Sequence, residues 1–277
     1  MKERAYAKIN LSLDVFNVRE DGYHDIRSIM LPIGFYDELE IDIAGEDSHH
    51  CNRSYLPFDE RNSIVKMIGI LKERFSLKDH YRISLNKQIP TKAGLGGGTA
   101  DAAATLKIFE RLYGLDLAEE EIIEICLNVG ADVPFNYFNV PALVSGIGDK
   151  IEKINVKKSY PLLLVKPRSG VSTKEAYELL DMEKCDHPDI DKLRRILESG
   201  EDLSSHLGNS LEQPAVLLNR RIPLIKKQLE DLGGKNVLMS GSGSTVFCID
   251  EDEGKIRKLY EAMRGKGYYV RFTRTLR

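Results

Sequence analysis

Alternating apolar and polar positions predict a strand over residues 4–16. From Ile9 to Val15 the odd positions are apolar and the even positions are polar, so one face of the strand is hydrophobic. Lys8 and Asn10 fall on the polar face, about 7 Å apart along the strand. This face is either solvated or part of a functional site, and the pattern of this segment leaves both interpretations open.

The first half of the chain continues with short strands, an amphipathic helix and a polar loop. Asn62 has the side chain of a helix cap, and an apolar stripe at helical spacing follows it. In the loop at 45–61 several His and Asp side chains crowd together without a regular element to orient them, which favours a solvated loop over a metal site. The predicted elements are strands at 26–34 and 37–44 with a turn at 34–37, the irregular loop at 45–61, a helix at 63–75 and a strand at 80–86.

A glycine-rich loop precedes the next predicted helix. Four glycines lie within residues 94–98, and Thr99 and a run of alanines follow at once. Glycine permits positive φ and a close approach of ligand to backbone, and Thr99 is a good N-cap for a helix that runs to Tyr113 and stops at Gly114. Such a loop can bind an anion through free N–H groups and the helix dipole. The alternative is a flexible glycine turn before an ordinary helix.

The loop differs from two better-known phosphate-binding sequences. No lysine precedes Thr99, as a Walker A loop requires. The dinucleotide pattern G-x-G-x-x-G fails as well, because Thr99 occupies the position of its third glycine.

A single carboxylate, Asp132, lies between a predicted helix end and a proline. The helix covers about 119–129, carries glutamates near its positive end and should have Gly130 as its C-cap. Pro134 constrains the backbone that follows. Asp132 is therefore either an ordinary cap or a functional acid. Two short strands are predicted on either side of 145–149.

The organisation changes near residue 158, which predicts two domains, 1–157 and 158–277. If the inserted helices are set aside, the second domain has the order β-α-β-β-α-β of a split βαβ sandwich. Its predicted elements are strands at 160–166, 235–239, 245–249 and 268–275, helices at 173–181, 189–199 and 251–265, a helical region at 208–232 interrupted near Pro223, and a second glycine turn at 240–244.

Composition and charge narrow the class of protein. The 277 residues are 42% apolar and 30% charged, with a net charge of −3, which is normal for a globular protein and provides no field that would recruit nucleic acid. The four cysteines are far apart and form no C-x-x-C pair, so we expect free thiols. With no signal peptide and no transmembrane run in the sequence, we expect a cytoplasmic protein without a membrane partner.

Four sequence blocks follow one another along the chain: Ala7-Lys8-Ile9-Asn10-Leu11, the loop from Pro90 to Ala104, Gly130-Ala131-Asp132-Val133-Pro134-Phe135, and Met239-Ser240-Gly241-Ser242-Gly243-Ser244. In this order they resemble the GHMP kinases, the superfamily of galactokinase, homoserine kinase, mevalonate kinase and phosphomevalonate kinase. Within that superfamily, the turn Asp21-Gly22-Tyr23-His24 and the triple glycine of the loop are similar to the branch that phosphorylates diphosphocytidyl methylerythritol in the non-mevalonate isoprenoid route.

The resemblance implies an α+β fold and a phosphotransfer reaction. It implies an N-terminal domain like ribosomal protein S5 domain 2 and a ferredoxin-like C-terminal domain. It also implies that the γ-phosphoryl group of ATP passes to a tertiary 2-hydroxyl, with Asp132 as the base and Lys8 as the cation that keeps this base ionised. Mg²⁺ would be held mainly by phosphate oxygens, with Thr99 within reach. The ATP-binding residues that the resemblance implies are Asn62, Pro90, Gly94, Leu95, Gly96, Gly97, Gly98 and Thr99.

The same resemblance implies how a cytidine diphosphate moiety would be recognised. Tyr23 and Tyr177 would offer ring faces to the base, and His24 would bond the cytosine edge. Asn10 would touch the acceptor end of the substrate. Gly241 and Gly243 of the second glycine turn would pack beside the site.

The sequence departs from the family pattern at three places. Thr99-Ala100 replaces the usual pair of serines, Ser210 stands where an Asp is common, and Thr91-Lys92-Ala93 is an unusual lead into the loop. Thr99 keeps a hydroxyl, so contact with phosphate is retained. The alternatives are a GHMP kinase for another alcohol, of the homoserine or mevalonate type, and a nucleotide-binding homologue without turnover. We expect a monomer or a homodimer.

Overall fold

The computed structural model describes residues 1–203 and 206–277, and its mixture of sheets and helices confirms the α+β class. In chain order the elements are β1 (Lys2–Val18), β2 (His24–Ala44), β3 (Ser48–Cys51), α1 (Ser63–Arg74), β4 (His80–Asn86), α2 (Gly97–Tyr113), α3 (Glu119–Leu127), α4 (Val133–Phe138), β5 (Ala142–Gly146), β6 (Lys150–Lys153), β7 (Pro161–Lys166), α5 (Thr173–Glu178), α6 (Ile190–Ser199), α7 (Glu212–Leu218), α8 (Arg221–Asp231), β8 (Asn236–Met239), β9 (Val246–Ile249), α9 (Glu253–Met263) and β10 (Tyr269–Arg274).

The chain divides into two compact units that interleave along the sequence, and β1 and β2 each contribute to both. The predicted domains 1–157 and 158–277 follow the sequence order instead, and that division stays a prediction. The first unit consists of Met1–Ala7, Phe35–Pro90 and Gly96–Asn139, and the second unit of Lys8–Gly34, Thr91–Leu95 and Val140–Arg277.

In the first unit, helices pack beside a small sheet. The second half of β2 pairs antiparallel with β4, from Glu38 opposite Asn86 to Ala44 opposite His80. The apolar stripe of α1 is buried as its spacing predicts, and α1 contacts α2, which contacts α4. The aliphatic and aromatic side chains of these elements form one core, which includes Leu39, Ile41, Ile64, Met67, Leu71, Tyr81, Leu85, Leu106, Phe109, Ile125 and Val133.

Two predictions for this region are wrong. The turn expected at 34–37 does not exist, because β2 continues through it. Gly34 lies in extended backbone within this strand, and a Cβ there would make only ordinary contacts, the nearest at 3.5 Å from Thr273 Oγ1. The loop at 45–61 is not wholly irregular, because β3 pairs in parallel with β4. A short edge strand can form through backbone hydrogen bonds alone. The side chains of β3 are mostly polar, so the sequence shows no alternating apolar pattern that would predict a strand here.

The second unit contains the predicted split βαβ arrangement. Its four strands are antiparallel in the order β10-β7-β9-β8, which confirms the ferredoxin-like topology. Here the first half of β2 pairs with β5, and β5 pairs with β6, at the two strands predicted near 145–149. A second core includes Leu13, Val15, Leu163, Val165, Ala215, Ile222, Ile225, Leu229, Val246, Ile256 and Met263.

Several helix ends differ from the prediction by a few residues, among them those of α7, α8 and α3. The helical region at 208–232 is interrupted at Asn219, the C-cap of α7, rather than near Pro223. Pro223 lies in the first turn of α8, where a missing N–H costs no intrahelical hydrogen bond. The C-cap of α3 is Asn128 rather than Gly130.

The described part of the chain contains no helix whose length and apolar character would suit a membrane span. Its four cysteines are free thiols, as expected, and three of them are buried.

Candidate active site

Lys8 and Asn10 form a buried polar pair on β1 in the second unit. Lys8 Nζ donates to Asn10 Oδ1 at 2.6 Å, and the two residues are only 3% and 1% exposed. Asn10 Nδ2 donates to Ser28 Oγ at 2.8 Å, which fixes the amide with its oxygen towards the ammonium group. The alternative of a solvated strand face is therefore excluded, because the polar face of β1 is buried here.

The two glycine-rich turns meet beside this pair, also within the second unit. Ser240 Oγ donates to the Gly94 carbonyl at 2.9 Å and accepts from Asn10 N at 3.3 Å. A Cβ on Gly94 would lie 2.0 Å from the Ser240 carbonyl oxygen, and one on Gly241 would lie 3.1 Å from Asn10 Oδ1. There is no room for a Cβ at Gly94, and at Gly241, which has a φ of +55°, there is little. The flexible-turn alternative for the first loop therefore fails at Gly94, whose backbone is held in place.

Gly243 and Leu95 belong to the same part of the second unit. Gly243 has a φ of +88°, and a Cβ there would lie 2.6 Å from Met239 Sδ. The carbonyl of Leu95 accepts from the Lys8 backbone N–H at 3.0 Å, which ties the loop to β1. The loop and the strand that carry the predicted residues are thus joined through their backbones.

The first turn of α2 belongs to the first unit, and here the predicted cap is wrong. Gly96, with a φ of +68°, is the N-cap, and the helix begins at Gly97 rather than after Thr99. The reason is steric, since the left-handed conformation needed at the cap is open to glycine but costly for threonine. The N–H groups of Gly97, Gly98 and Thr99 lie in the first three helical positions, which have no intrahelical acceptor.

Thr99 connects α2 to α4. Its hydroxyl lies 2.9 Å from both the Gly96 carbonyl and Asn136 Oδ1, and a hydroxyl can donate its one hydrogen to only one of them at a time. Asn136 Nδ2 donates to the Tyr6 carbonyl, which fixes the amide orientation. The oxygen of Thr99 keeps lone pairs with which it can accept a hydrogen bond or contact a cation.

Asp132 occupies the N-cap position of α4, but its side chain makes no capping hydrogen bond to that helix. Pro134 follows in the first turn of α4, where proline is favoured because no N–H is needed. The residue is half-buried. The interpretation of Asp132 as an ordinary capping residue therefore lacks its defining hydrogen bond.

Asn62 has the predicted capping role in α1. Its Oδ1 accepts from Ile64 N at 2.9 Å, while its Nδ2 donates to the Pro57 carbonyl at 2.8 Å. Pro90, at the end of its segment of the first unit, is partly exposed. The two hydrogen bonds of Asn62 are structural, and the contact with ATP that the resemblance implies for Asn62 stays a prediction.

The three residues predicted to hold a cytosine all lie in the second unit. The rings of His24 and Tyr177 are 4.9 Å apart between centroids and inclined by 44°. Burial lowers the pKa of His24, so the neutral imidazole is favoured. Tyr23, at the adjacent turn, is 59% exposed, which leaves its ring accessible to a ligand.

A buried ionic cluster in the first unit was missed by the sequence analysis. Lys87 Nζ lies 2.5 Å from Asp37 Oδ2 and 2.5 Å from Asp101 Oδ2, and it also donates to the Gly97 carbonyl at 3.0 Å. The one available signal was Asp101 within the alanine run of α2, an acidic residue among apolar ones. No local sequence pattern connects Asp101 to Lys87, 14 positions earlier, or to Asp37, 64 positions earlier.

Two departures from the family pattern have a structural role. Ser210 Oγ donates to the Asp186 carbonyl at 2.7 Å and accepts from Val15 N at 2.9 Å, so this buried serine connects β1 to the 186 segment rather than capping α7. Lys92 has a φ of +48° and packs against Gly170, where a Cβ would lie 2.4 Å from that of Lys92.

The predicted site residues are thus distributed over both units. Asn62, Pro90, Gly96, Gly97, Gly98, Thr99 and Asp132 belong to the first unit, and Lys8, Asn10, Tyr23, His24, Gly94, Leu95, Tyr177, Gly241 and Gly243 belong to the second.

Comparison with known families gives two matches that cover more than half of the chain together. The model of the GHMP kinases N terminal domain matches residues 62–146, and the model of the GHMP kinases C terminal matches residues 181–269. The first contains the glycine loop and Asp132, and the second contains the second glycine turn.

Similar proteins extend the match over the full length. A 4-diphosphocytidyl-2-C-methyl-D-erythritol kinase of Clostridium beijerinckii is 40% identical over 280 residues, which covers 100% of this chain and 100% of the relative. A crystal structure of a 4-(cytidine 5'-diphospho)-2C-methyl-D-erythritol kinase is similar with a TM-score of 0.83 and 29% identity, covering 99% of both chains. The homoserine kinase of Cytophaga hutchinsonii, with a TM-score of 0.69 and 18% identity over 98% of this chain and 94% of its own, shares the fold alone.

Proposed function

Because the chain belongs to the 4-diphosphocytidyl-2-C-methyl-D-erythritol kinases, a branch of the GHMP kinases, we propose that it transfers the γ-phosphoryl group of ATP to the 2-hydroxyl of that diphosphocytidyl alcohol. The family consists of ATP-dependent small-molecule kinases, and the chain is one of them. The reaction serves isoprenoid precursor synthesis by the non-mevalonate route.

The observation that carries the proposal is the buried pair of Lys8 and Asn10 beside the two glycine turns. A buried ammonium group held by a hydrogen bond is a fixed cation, and a fixed cation can stabilise the negative charge that develops during phosphoryl transfer. Lys8 donates to Asn10, and Ser240 joins the second glycine turn to Gly94 of the glycine-rich loop. These two hydrogen bonds support binding of the acceptor alcohol where the two turns meet.

In the proposed reaction Asp132 accepts the proton of the 2-hydroxyl while the oxygen forms a bond to the γ-phosphorus. The bond from that phosphorus to the β,γ-bridging oxygen breaks, and ADP leaves. Lys8 assists this base by stabilising the negative charge that develops on the attacking oxygen, because an opposite charge stabilises an anion. Asn10 orients the acceptor. Phosphoryl transfer depends chiefly on such positioning and charge stabilisation.

The N–H groups of Gly97, Gly98 and Thr99 would bind the phosphates of ATP, assisted by the positive end of the α2 dipole. Mg²⁺ fits this site if phosphate oxygens supply most of its ligands, since it prefers oxygen and retains several waters. Among the described residues no group of three His, Cys, Asp or Glu side chains could hold a metal ion. The Thr99 hydroxyl is the protein oxygen that would assist, and the ion would neutralise charge on the phosphates.

Cytosine would stack between Tyr23 and Tyr177, with His24 bonding its edge. The exposed ring of Tyr23 and the contact of His24 with Tyr177 support this arrangement. A neutral imidazole, favoured here by burial, has one donor and one acceptor nitrogen to offer to the base.

An assay of ADP release against several alcohols tests the function. We expect the diphosphocytidyl alcohol to exceed homoserine and mevalonate by more than about 100-fold in kcat/KM, because buried polar groups left unpaired by the wrong substrate cost several kcal/mol. Turnover of homoserine or mevalonate at a similar kcat/KM would favour another GHMP kinase activity. ATP binding without turnover of any alcohol would favour a catalytically silent homologue.

Three further properties are proposed on general grounds. A monomer or homodimer is tested by sedimentation, and a cytoplasmic location by cell fractionation. The net charge of −3 supports the absence of a nucleic-acid partner, which a binding assay with duplex DNA and RNA tests.

A further inference from the structure

Lys87 makes a complete set of hydrogen bonds at the first turn of α2. An ammonium group has three N–H donors, and Lys87 directs them to Asp37 Oδ2, Asp101 Oδ2 and the Gly97 carbonyl. The lysine, Asp37 and Asp101 side chains are 4%, 0% and 6% exposed. No mechanistic step above uses this cluster, although it touches the helical turn that would bind the phosphates.

Hydrogen bonds to the Lys87 backbone and to Asp37 fix the position of Lys87 within the first unit. Its backbone N–H donates to Asn52 Oδ1 at 2.8 Å, and its carbonyl accepts from Asn52 Nδ2 and Arg53 Nε. Asp37 Oδ1 accepts from the next two N–H groups of the chain, those of Gln88 and Ile89. The ammonium is therefore held in place before any ligand arrives.

Gly97 lies directly against this cluster. A Cβ there would be 2.8 Å from Ile89 Cγ2 and 3.2 Å from Lys87 Nζ, so no larger residue fits. A cation on the Gly97 carbonyl polarises the peptide group that joins Gly97 to Gly98, and this makes the N–H of Gly98 a stronger donor. That N–H is one of the three without an intrahelical acceptor.

The charges in the cluster do not balance when both carboxyl groups are ionised. Two carboxylates and one ammonium leave one excess negative charge. Asp101 Oδ1 is buried without a hydrogen-bond partner among the described residues, so an ionised Asp101 is poorly compensated. Burial raises the pKa of Asp101 to about 7 against the opposing effect of Lys87, while Asp101 and Asp37 together outweigh burial and raise the pKa of Lys87.

We propose that Lys87 is a positioning residue for the phosphates of ATP, acting through the Gly97 carbonyl, and that Asp101 takes up one proton from solvent when the phosphates bind. The inference rests on the proposed function, because it requires ATP at the first turn of α2. Phosphates next to the cluster would repel the ionised Asp101, and protonation removes that repulsion. Lys87 and Asp37 are the charged groups that face Asp101.

The sign of the pH dependence follows from this exchange. Below the pKa of Asp101 the cluster is neutral, and nucleotide binding requires no proton. As pH rises through that pKa, binding must first add a proton, so nucleotide affinity falls, by up to tenfold for each unit by which binding raises the pKa. The acceptor alcohol is not involved, and its KM should be indifferent to this group.

Calorimetry of MgADP binding in buffers of different ionisation enthalpy tests the proton uptake. At pH 7.5 we expect about half a proton per nucleotide for the wild type, as for a group whose pKa rises by one unit from about 7, and none for Asp101→Asn. Glu110→Gln is the matched control, since Glu110 is a carboxyl on the same helix whose pKa is also raised by burial. This control should keep the uptake of the wild type.

Lys87→Met alone leaves two buried carboxyl groups without their cation and would destabilise the fold. The double variant Lys87→Met, Asp101→Asn leaves one carboxyl group, Asp37, whose Oδ1 keeps the two backbone N–H donors, and it is compared with Asp101→Asn. We expect the KM for ATP to rise about tenfold with the KM for the alcohol unchanged, as for the loss of one charge-assisted hydrogen bond. If Lys87 had only a structural role, the double variant would have a lower melting temperature than Asp101→Asn, but its KM for ATP would not rise relative to its KM for the alcohol.

Each outcome decides the inference. Equal proton uptake in the wild type and Asp101→Asn, or an ATP KM of the double variant within about twofold of Asp101→Asn, would overturn it. A wild type that binds MgADP without proton uptake overturns this inference and leaves the proposed function standing. A wild type that binds no nucleotide overturns both.

Discussion

The hydroxyl of Ser240 donates to the carbonyl of Gly94 at 2.9 Å across 146 residues of sequence. The two glycine-rich turns are therefore joined by a direct hydrogen bond within the second unit. Glycine at position 94 is what permits this contact, because a Cβ would lie 2.0 Å from the Ser240 carbonyl oxygen. The stability of this junction can be measured apart from catalysis.

Gly94→Ala should destabilise the protein more than a glycine substitution that involves backbone conformation alone. Gly94 and Gly233 both have positive φ, of +71° and +93°, and alanine in a left-handed conformation costs about 1–2 kcal/mol. Gly233 has nothing within 4 Å of an added Cβ, so Gly233→Ala is the matched control. Denaturant unfolding of both variants measures the difference in the free energy of unfolding. Equal losses would contradict the close contact between the turns.

Asp132→Asn and Lys8→Met should each lower kcat by about 100-fold or more, since a general base typically contributes 10²–10⁴-fold. ADP release with the diphosphocytidyl alcohol measures the loss, and circular dichroism confirms that each variant is folded. Lys2→Met is a control on the same strand. Lys2 is exposed, and its ion pair with Glu40, at 3.4 Å between Nζ and Oε2, lies on the surface and contributes little. An Asp132→Asn variant with more than about a tenth of wild-type kcat would refute the base assignment.

Tyr23→Ala should raise the KM for the diphosphocytidyl alcohol about 5- to 150-fold, because stacking of a base on an aromatic ring is worth about 1–3 kcal/mol. The KM for ATP should not change. Tyr55→Ala, another exposed tyrosine at 64% compared with 59% for Tyr23, controls for the loss of a surface ring. If both variants keep the wild-type KM, Tyr23 does not bind the cytidine.

His187→Gln should reveal a pH-dependent contribution to stability. The Met182 carbonyl, 3.0 Å from Nε2, and Asp14 Oδ1, 2.7 Å from Nδ1, raise the pKa of His187. A raised folded pKa gives stability that is present below about pH 6.5, the value of an unfolded histidine, and is lost as pH rises through the folded pKa. The wild type should therefore exceed His187→Gln in the free energy of unfolding by more at pH 5.5 than at pH 9.

The exposed His50→Gln variant is the control for His187, because it removes a histidine and leaves the contacts of His187 with Asp14 and Met182 intact. Because His187 is 45% exposed, solvent screens its ion pair with Asp14 and the effect is small. A difference between wild type and His187→Gln that grows towards pH 9 would contradict the imidazolium assigned to this contact.

The amino-acid sequence alone was enough to identify the family, the ferredoxin-like order of the second half and most helices. These inferences depend on short-range signals: the apolar stripe of α1 behind its cap Asn62, the stop of α2 at Gly114, and four motifs in a fixed order. Each signal spans a few residues, because backbone conformation and capping are local properties. The same locality explains the error at Thr99, where a good cap residue follows a glycine that fits the left-handed cap better.

Which polar side chains contact one another becomes visible in the folded protein. Asp37, Lys87 and Asp101 come from β2, the end of β4 and α2, and no spacing in the sequence connects them. Gly34 is a turn residue by its local pattern, but in the fold it lies within the continuous strand β2. Hydrogen-bond partners and steric room are set by contacts between residues far apart in the chain, so they exist only once the chain has folded.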